Sequence, residues 1–79
     1  MTYKELCAFL KQKRIGRRHK PESLAIIVGV SVSSLSSWES GKRTPTMFNL
    51  HAWANALGYD LEFTLTPRPT HGAIYVKPD

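Results

Sequence analysis

The sequence predicts a mainly α domain of about four short helices, followed by a single C-terminal β-strand. Three observations predict it. Up to Gly58 the apolar residues recur three and four apart, the spacing of one helix face. Residues that start or stop helices bound each such segment: Thr2, Pro21, Gly29, Ser31, Gly41, Pro45 and Gly58. After Gly58 the period changes, and Asp60-Leu61-Glu62-Phe63-Thr64-Leu65-Thr66 alternates strictly between polar and apolar.

Each element follows from local chemistry. Thr2-x-x-Glu5 is a capping-box pattern, in which the Thr side chain accepts from the amide three residues on and the Glu reaches back. Tyr3, Leu6, Cys7 and Leu10 then share a face, with Phe9 beside them, so a first helix is expected from about Tyr3 to Lys13 or Arg14. Gly16 and Arg17-Arg18-His19-Lys20 form a short, strongly basic loop. Pro21 suits the first position of a second helix, where its missing N–H costs nothing. That helix, Pro21–Val28, places Leu24, Ala25 and Val28 together, and Gly29 ends it.

Ser31 caps a third helix, Leu35 and Trp38 form its inner face, and Gly41 closes it. Thr44-Pro45 opens a fourth, with Met47, Leu50, Ala54 and Leu57 inward and Gly58 at its end. Trp53 lies beside that stripe and is assigned either to the core or to a dimer interface. The strand 60–66 cannot be stable alone, because its backbone groups need partners. Either Ala73–Lys77 folds back on it as a short hairpin, or the same strand of a second chain pairs with it across a dimer.

A chain of 79 residues is one domain with a tail. Domains this small bury only about 60% of the surface that their unfolded chain exposes, which favours a partner chain. With Cys7 as the single cysteine, no intramolecular disulfide forms. No apolar run reaches the roughly 18 residues of a membrane span, and the N-terminus lacks a signal peptide's apolar block. A soluble, cytoplasmic protein is expected, with no membrane partner.

Charge is distributed unevenly. Up to Arg43, nine Lys and Arg residues oppose Glu5, Glu22 and Glu39, a net +6; from Thr44 onward Arg68 and Lys77 oppose Asp60, Glu62 and Asp79, a net −1. A basic patch confined to one part of the chain suits an anionic partner, nucleic acid being the commonest. Cys7, His19, His51 and His71 show no paired ligand spacing, so no metal and no cofactor are expected. The serines of the third helix have no His/Asp arrangement or oxyanion loop near them in sequence, and an enzyme is not expected.

Two short helices joined by a tight turn, with Leu24-Ala25, Gly29-Val30-Ser31, Leu35 and Trp38 at these spacings, form a helix-turn-helix pattern. Ala25 is small enough for the helices to cross closely, and Gly29 adopts a turn that strains other residues. The second helix then projects outward, where a DNA major groove can receive it.

The segment from about Leu6 to Leu61 resembles the phage-repressor and Cro type of helix-turn-helix regulators, the XRE-like family. The matching residues are Arg14, Glu22-Ser23-Leu24-Ala25, Gly29-Val30-Ser31, Leu35-Ser36, Trp38-Glu39-x-Gly41, Arg43-x-Pro45, Leu50 and Ala54-x-x-Leu57-Gly58. The resemblance implies a bundle like that of the lambda repressor, a DNA-binding domain over residues 1–58, and a dimerisation element over 59–79. It implies base contacts from Val32, Ser33 and Ser37, with Ser34 and Ser36 flanking them near bases or phosphates. It also implies a structural pair, Arg14 with Glu39, and phosphate contacts from Lys42 and Arg43. The chain departs from the family at Pro21, where many members carry a Gln that contacts phosphate, and in ending on a strand rather than a fifth helix.

Three further expectations follow. Arg17, Arg18 and Lys20 clamp phosphate beside the N-terminus of the second helix, where free amides and the helix dipole attract anions. Leu61, Phe63 and Leu65 form the dimer contact. The function is then sequence-specific binding of double-stranded DNA by a homodimeric transcriptional regulator, a repressor of a pseudo-palindromic operator. The alternative is an antitoxin that binds a protein toxin through the tail Pro67–Asp79 and autoregulates its operon. Short serine side chains let the third helix approach the groove closely but offer no bidentate fork to a base, so direct base reading is limited and DNA shape carries much of the specificity.

Overall fold

The computed structural model describes residues 1–68. Four helices follow one another: α1 (Tyr3–Gly16), α2 (Pro21–Val28), α3 (Val32–Glu39) and α4 (Met47–Ala56). The α1 start is the capping box expected from its sequence. The Glu5 amide donates to Thr2 Oγ1 and the Thr2 amide donates to Glu5 Oε1 at 2.7 Å. Ser31 caps α3 by accepting from the Ser34 amide, and Thr46 caps α4 by accepting from the Asn49 amide. The fourth helix therefore begins at Met47, not at Thr44-Pro45, because Thr46 supplies the cap.

All four helices end in one motif, a left-handed residue followed by an amide that reaches back five residues. The bonds run from His19 to Arg14, Val30 to Ala25, Lys42 to Ser37 and Tyr59 to Ala54. Three left-handed positions are Gly29, Gly41 and Gly58; the fourth is Arg18, at φ 59°. α1 consequently runs to Gly16, two residues or so past its expected end. Gly16 is an ordinary helical residue, and Arg18 makes the turn.

The core joins Cys7 and Leu10 of α1, Leu24 and Ala25 of α2, Leu35 and Trp38 of α3, and Leu50, Trp53 and Ala54 of α4, with Leu57 just beyond. α2 packs on both α3 and α4, and α1 packs on α3. Trp53 is fully buried, its ring 5.7 Å from that of Trp38, which removes the dimer-interface assignment. Met47 is 55% exposed and leaves the inner face of α4 to Leu50, Trp53, Ala54 and Leu57. Met47 is the first residue of α4, one turn ahead of Leu50, where the buried residues of that helix begin. Ile26, Ile27 and Phe48 are also exposed.

After Leu57 the chain continues as an arm. Tyr59 meets Phe9 edge to face at 5.4 Å, Leu61 packs against the core, and Phe63 meets His51 edge to face at 5.8 Å. Among the described residues no strand forms, and the arm 60–66 has no ladder with any of them. Ala73–Lys77 and most of the tail lie outside the described residues.

Candidate nucleic-acid interface

The geometry of α3 follows from its serines and its two anchors. Leu35 and Trp38 are buried and fix the rotation of the helix. That rotation turns Val32, Ser33 and Ser36 outward as exposed residues, with Ser37 half-buried at their edge. Ser34 sits differently: it is half-buried, and its hydroxyl accepts from Ser31 Oγ at 3.0 Å while its amide donates to the same oxygen. The outward surface is thus Val32, Ser33, Ser36 and the rim of Ser37, and Ser34 belongs to the cap.

Two restraints hold α3 in place. Arg14, only 9% exposed, donates from Nε to Glu39 Oε2 at 2.7 Å and from Nη2 to Glu39 Oε1 at 3.0 Å. Its Nη1 donates to the carbonyl of His19 at 2.9 Å. One guanidinium therefore ties the end of α3 to α1 and to the loop before α2. The pairing expected of Arg14 and Glu39 is present, as a two-pronged contact that is nearly out of water. On the other side, Tyr3 Oη donates to the carbonyl of the buried Pro45, which fastens the loop after α3 to α1. Burial raises the Tyr3 pKa, with the nearby Cys7 adding to the effect, so the hydroxyl keeps the proton that it donates. Burial likewise raises the pKa of Cys7, leaving a protonated thiol.

The cations divide into two groups. Lys42 and Arg43 are exposed in the loop after α3, where both amides donate to the Ser37 carbonyl, so that loop is wrapped on the helix end. Arg18 and Lys20 are exposed in the loop before α2. Lys20 is the N-cap of α2 and provides no side-chain cap, and Pro21 holds the first position, so the N-terminus of α2 stays open toward solvent. Arg17 is placed otherwise. Its Nη1 donates to the Leu57 carbonyl and its guanidinium lies 5.8 Å over the Tyr59 ring. That side chain fastens the end of α4 to α1, while the residue itself is exposed beside Arg18. Lys4 was not expected here: its Cε lies 3.6 Å from where a side chain on Gly41 would begin, beside Lys42 and Arg43. Nothing local in the sequence announces that approach, since it depends on how α1 crosses the end of α3.

Of the three residues expected at a dimer contact, Leu61 is half-buried against its own core, whereas Phe63 is 57% and Leu65 98% exposed. Among the described residues, no group of His, Cys, Asp and Glu could hold a metal ion. No described helix is long and apolar enough to cross a membrane.

The arrangement is a short helix entered by a tight turn, faced with small hydroxyl side chains and followed by a loop carrying exposed Lys42 and Arg43, with its Glu39 end joined through Arg14 to the basic loop before α2. A family model described as helix-turn-helix matches residues 10–63, from the middle of α1 into the arm. Searches of curated proteins and of solved structures gave no match.

Proposed function

The chain belongs to the XRE-like helix-turn-helix family, and from that premise we propose that it is a sequence-specific, DNA-binding transcriptional regulator that represses from a pseudo-palindromic operator as a homodimer. The observation that carries this reading is the outer face of α3. Val32, Ser33 and Ser36 stand clear of the protein on a helix held at its far end by the buried Arg14–Glu39 pair. The exposed cations of the loops before α2 and after α3 are then available to meet the phosphates beside a helix in the major groove.

In this reading Val32, Ser33 and Ser37 face base edges, Val32 against a thymine methyl, and Ser36 meets phosphate. Ser34 supports them through the cap. Arg18, Lys20, Lys42 and Arg43 neutralise phosphates, and the open N-terminus of α2 adds its amides. In a homodimer, two α3 helices about 34–36 Å apart enter successive major grooves.

Selection of duplexes from a random pool tests all of this at once. The expected result is an inverted repeat with half-sites one helical turn apart and few sharply fixed guanines under α3. Recovery of no preferred sequence, or of unpaired single half-sites, overturns the operator reading. The toxin-binding alternative rests on the tail; residues 69–79 lie outside the described residues, and no observation on α1–α4 favours it.

A further inference from the structure

We propose that two copies of the chain pair antiparallel through residues 60–68 in a single register, with Thr64 opposite its own counterpart. The inference rests on the homodimer of the proposed function and adds its interface.

The arm leaves the body as an alternating segment without a ladder among the described residues, and two of its apolar side chains are exposed, Phe63 at 57% and Leu65 at 98%. Alternation restricts how a second copy can lie against it. Opposed residues in a sheet point to the same face, so a pairing that sets odd residues against even ones would put Phe63 and Leu65 opposite polar side chains. Only registers centred on a residue survive.

Charge and proline separate those that remain. Centring on Glu62 would set two carboxylates face to face. Centring on Phe63 leaves Arg68 opposite Gly58, and centring on Leu65 places Phe63 opposite Pro67 and leaves Asp60 outside the ladder. Centring on Thr64 sets Phe63 against Leu65 twice and Asp60 against Arg68 twice, with Glu62 opposite Thr66. With the Thr64 pair hydrogen-bonded, alternation puts Pro67 at a position where the ladder needs no N–H from it. The apolar pair Phe63–Leu65 then takes the closely spaced position, where side chains pack best. Leu61 stays on its own core and sets where the arm departs.

Single cysteines in a Cys7→Ala background test the register. Under mild oxidation Thr64→Cys should form a covalent dimer rapidly, whereas Glu62→Cys and Thr66→Cys should do so only when mixed with each other. Arg68→Asp should raise the dimer dissociation constant roughly tenfold, because both cross-strand pairs become repulsive, and adding Asp60→Arg should restore it. A monomeric unmodified chain in sedimentation equilibrium overturns the proposal, as does a dimer in which Thr64→Cys crosslinks no faster than the other two. A stoichiometric complex of the arm with a different protein in place of self-pairing also overturns it. Duplex binding on the same samples separates the two readings. A chain that binds DNA without the Thr64 crosslink keeps the function and loses the register; one that crosslinks at Thr64 and binds no DNA does the reverse.

Discussion

Arg14 is a charge held almost out of water because three oxygens receive its N–H groups, two from Glu39 and one from His19. Removing one partner of such a pair leaves the other buried and uncompensated, which costs about 3–5 kcal/mol. Glu39→Gln or Arg14→Met should lower stability by that order in urea unfolding, whereas the double change Arg14→Met with Glu39→Leu should recover most of it. Recovery of stability without recovery of DNA binding would show that the pair's value lies in aiming α3. Arg18 poses the opposite case. The equivalent turn after the other three helices uses glycine, while Arg18 holds φ 59° with a side chain attached. A left-handed non-glycine residue costs about 1–2 kcal/mol, so Arg18→Gly should stabilise the fold by about 1 kcal/mol, less the added freedom of glycine when unfolded. The same variant should bind duplex DNA more weakly, having lost an exposed cation. Equal affinity with higher stability would remove Arg18 from the phosphate contacts.

Helix ends decide this fold as much as helix faces do. Ser31 shows how little is needed: one hydroxyl starts an eight-residue helix containing four further serines, and Ser31→Ala should cost about 1 kcal/mol. Ser36→Ala, at an exposed interior position, should instead gain a few tenths of a kcal/mol while weakening DNA binding. At the start of α1, Glu5 has a pKa below the ordinary 4.5 because the Thr2 amide, and then the Thr2 hydroxyl, bonds its carboxylate. The stabilisation is therefore fully present above the ordinary carboxylate range and is lost as pH falls through the lowered value. A carbon-detected titration of Glu5 should show a midpoint below 4.5, moving partly upward in Thr2→Ala as the hydroxyl contribution disappears. The caps were also what the sequence displayed best: Thr2, Pro21, Gly29 and Ser31 each stand where their chemistry places them. Misplacement occurred where the deciding partner is distant. Gly16 is a breaker by type, yet the turn fell to Arg18. Met47 leaves the inner face and Trp53, whose place the spacing left open, fills it, because spacing defines a stripe without saying which edge of it meets the core. Of the site, the Arg14–Glu39 pair and the outward positions of Ser33 and Ser36 were legible, whereas Ser34, expected on the same face, is half-buried in the cap. The bond from Arg17 to Leu57 was not legible, since it spans forty residues.

At the scale of the molecule, binding of phosphate depends on how many positive charges are free to meet it. Arg14 is held within the core by Glu39 and Arg17 is bonded to the end of α4, so in the proposed complex fewer cations than the charge count before Thr44 are free of protein partners. In the proposed homodimer the expected phosphate residues Arg18, Lys20, Lys42 and Arg43, all exposed, offer four contacts for each copy, before any from Lys4. Each neutralised phosphate on B-DNA contributes about −0.9 to the slope of log affinity against log salt. Two copies with four contacts each therefore give a slope of about −7, and one copy alone gives about half that. Fluorescence anisotropy between roughly 50 and 200 mM salt distinguishes the two. Arg43→Ala should flatten the dimer's slope by about 2 and weaken selected and random duplexes alike, because a phosphate contact carries no sequence information. Arg17→Ala should leave the slope unchanged and lower thermal stability instead. If Arg17→Ala flattens the slope as much as Arg43→Ala does, the guanidinium leaves Leu57 when DNA binds, and the basic loop acts as the five-cation clamp that its sequence first suggests.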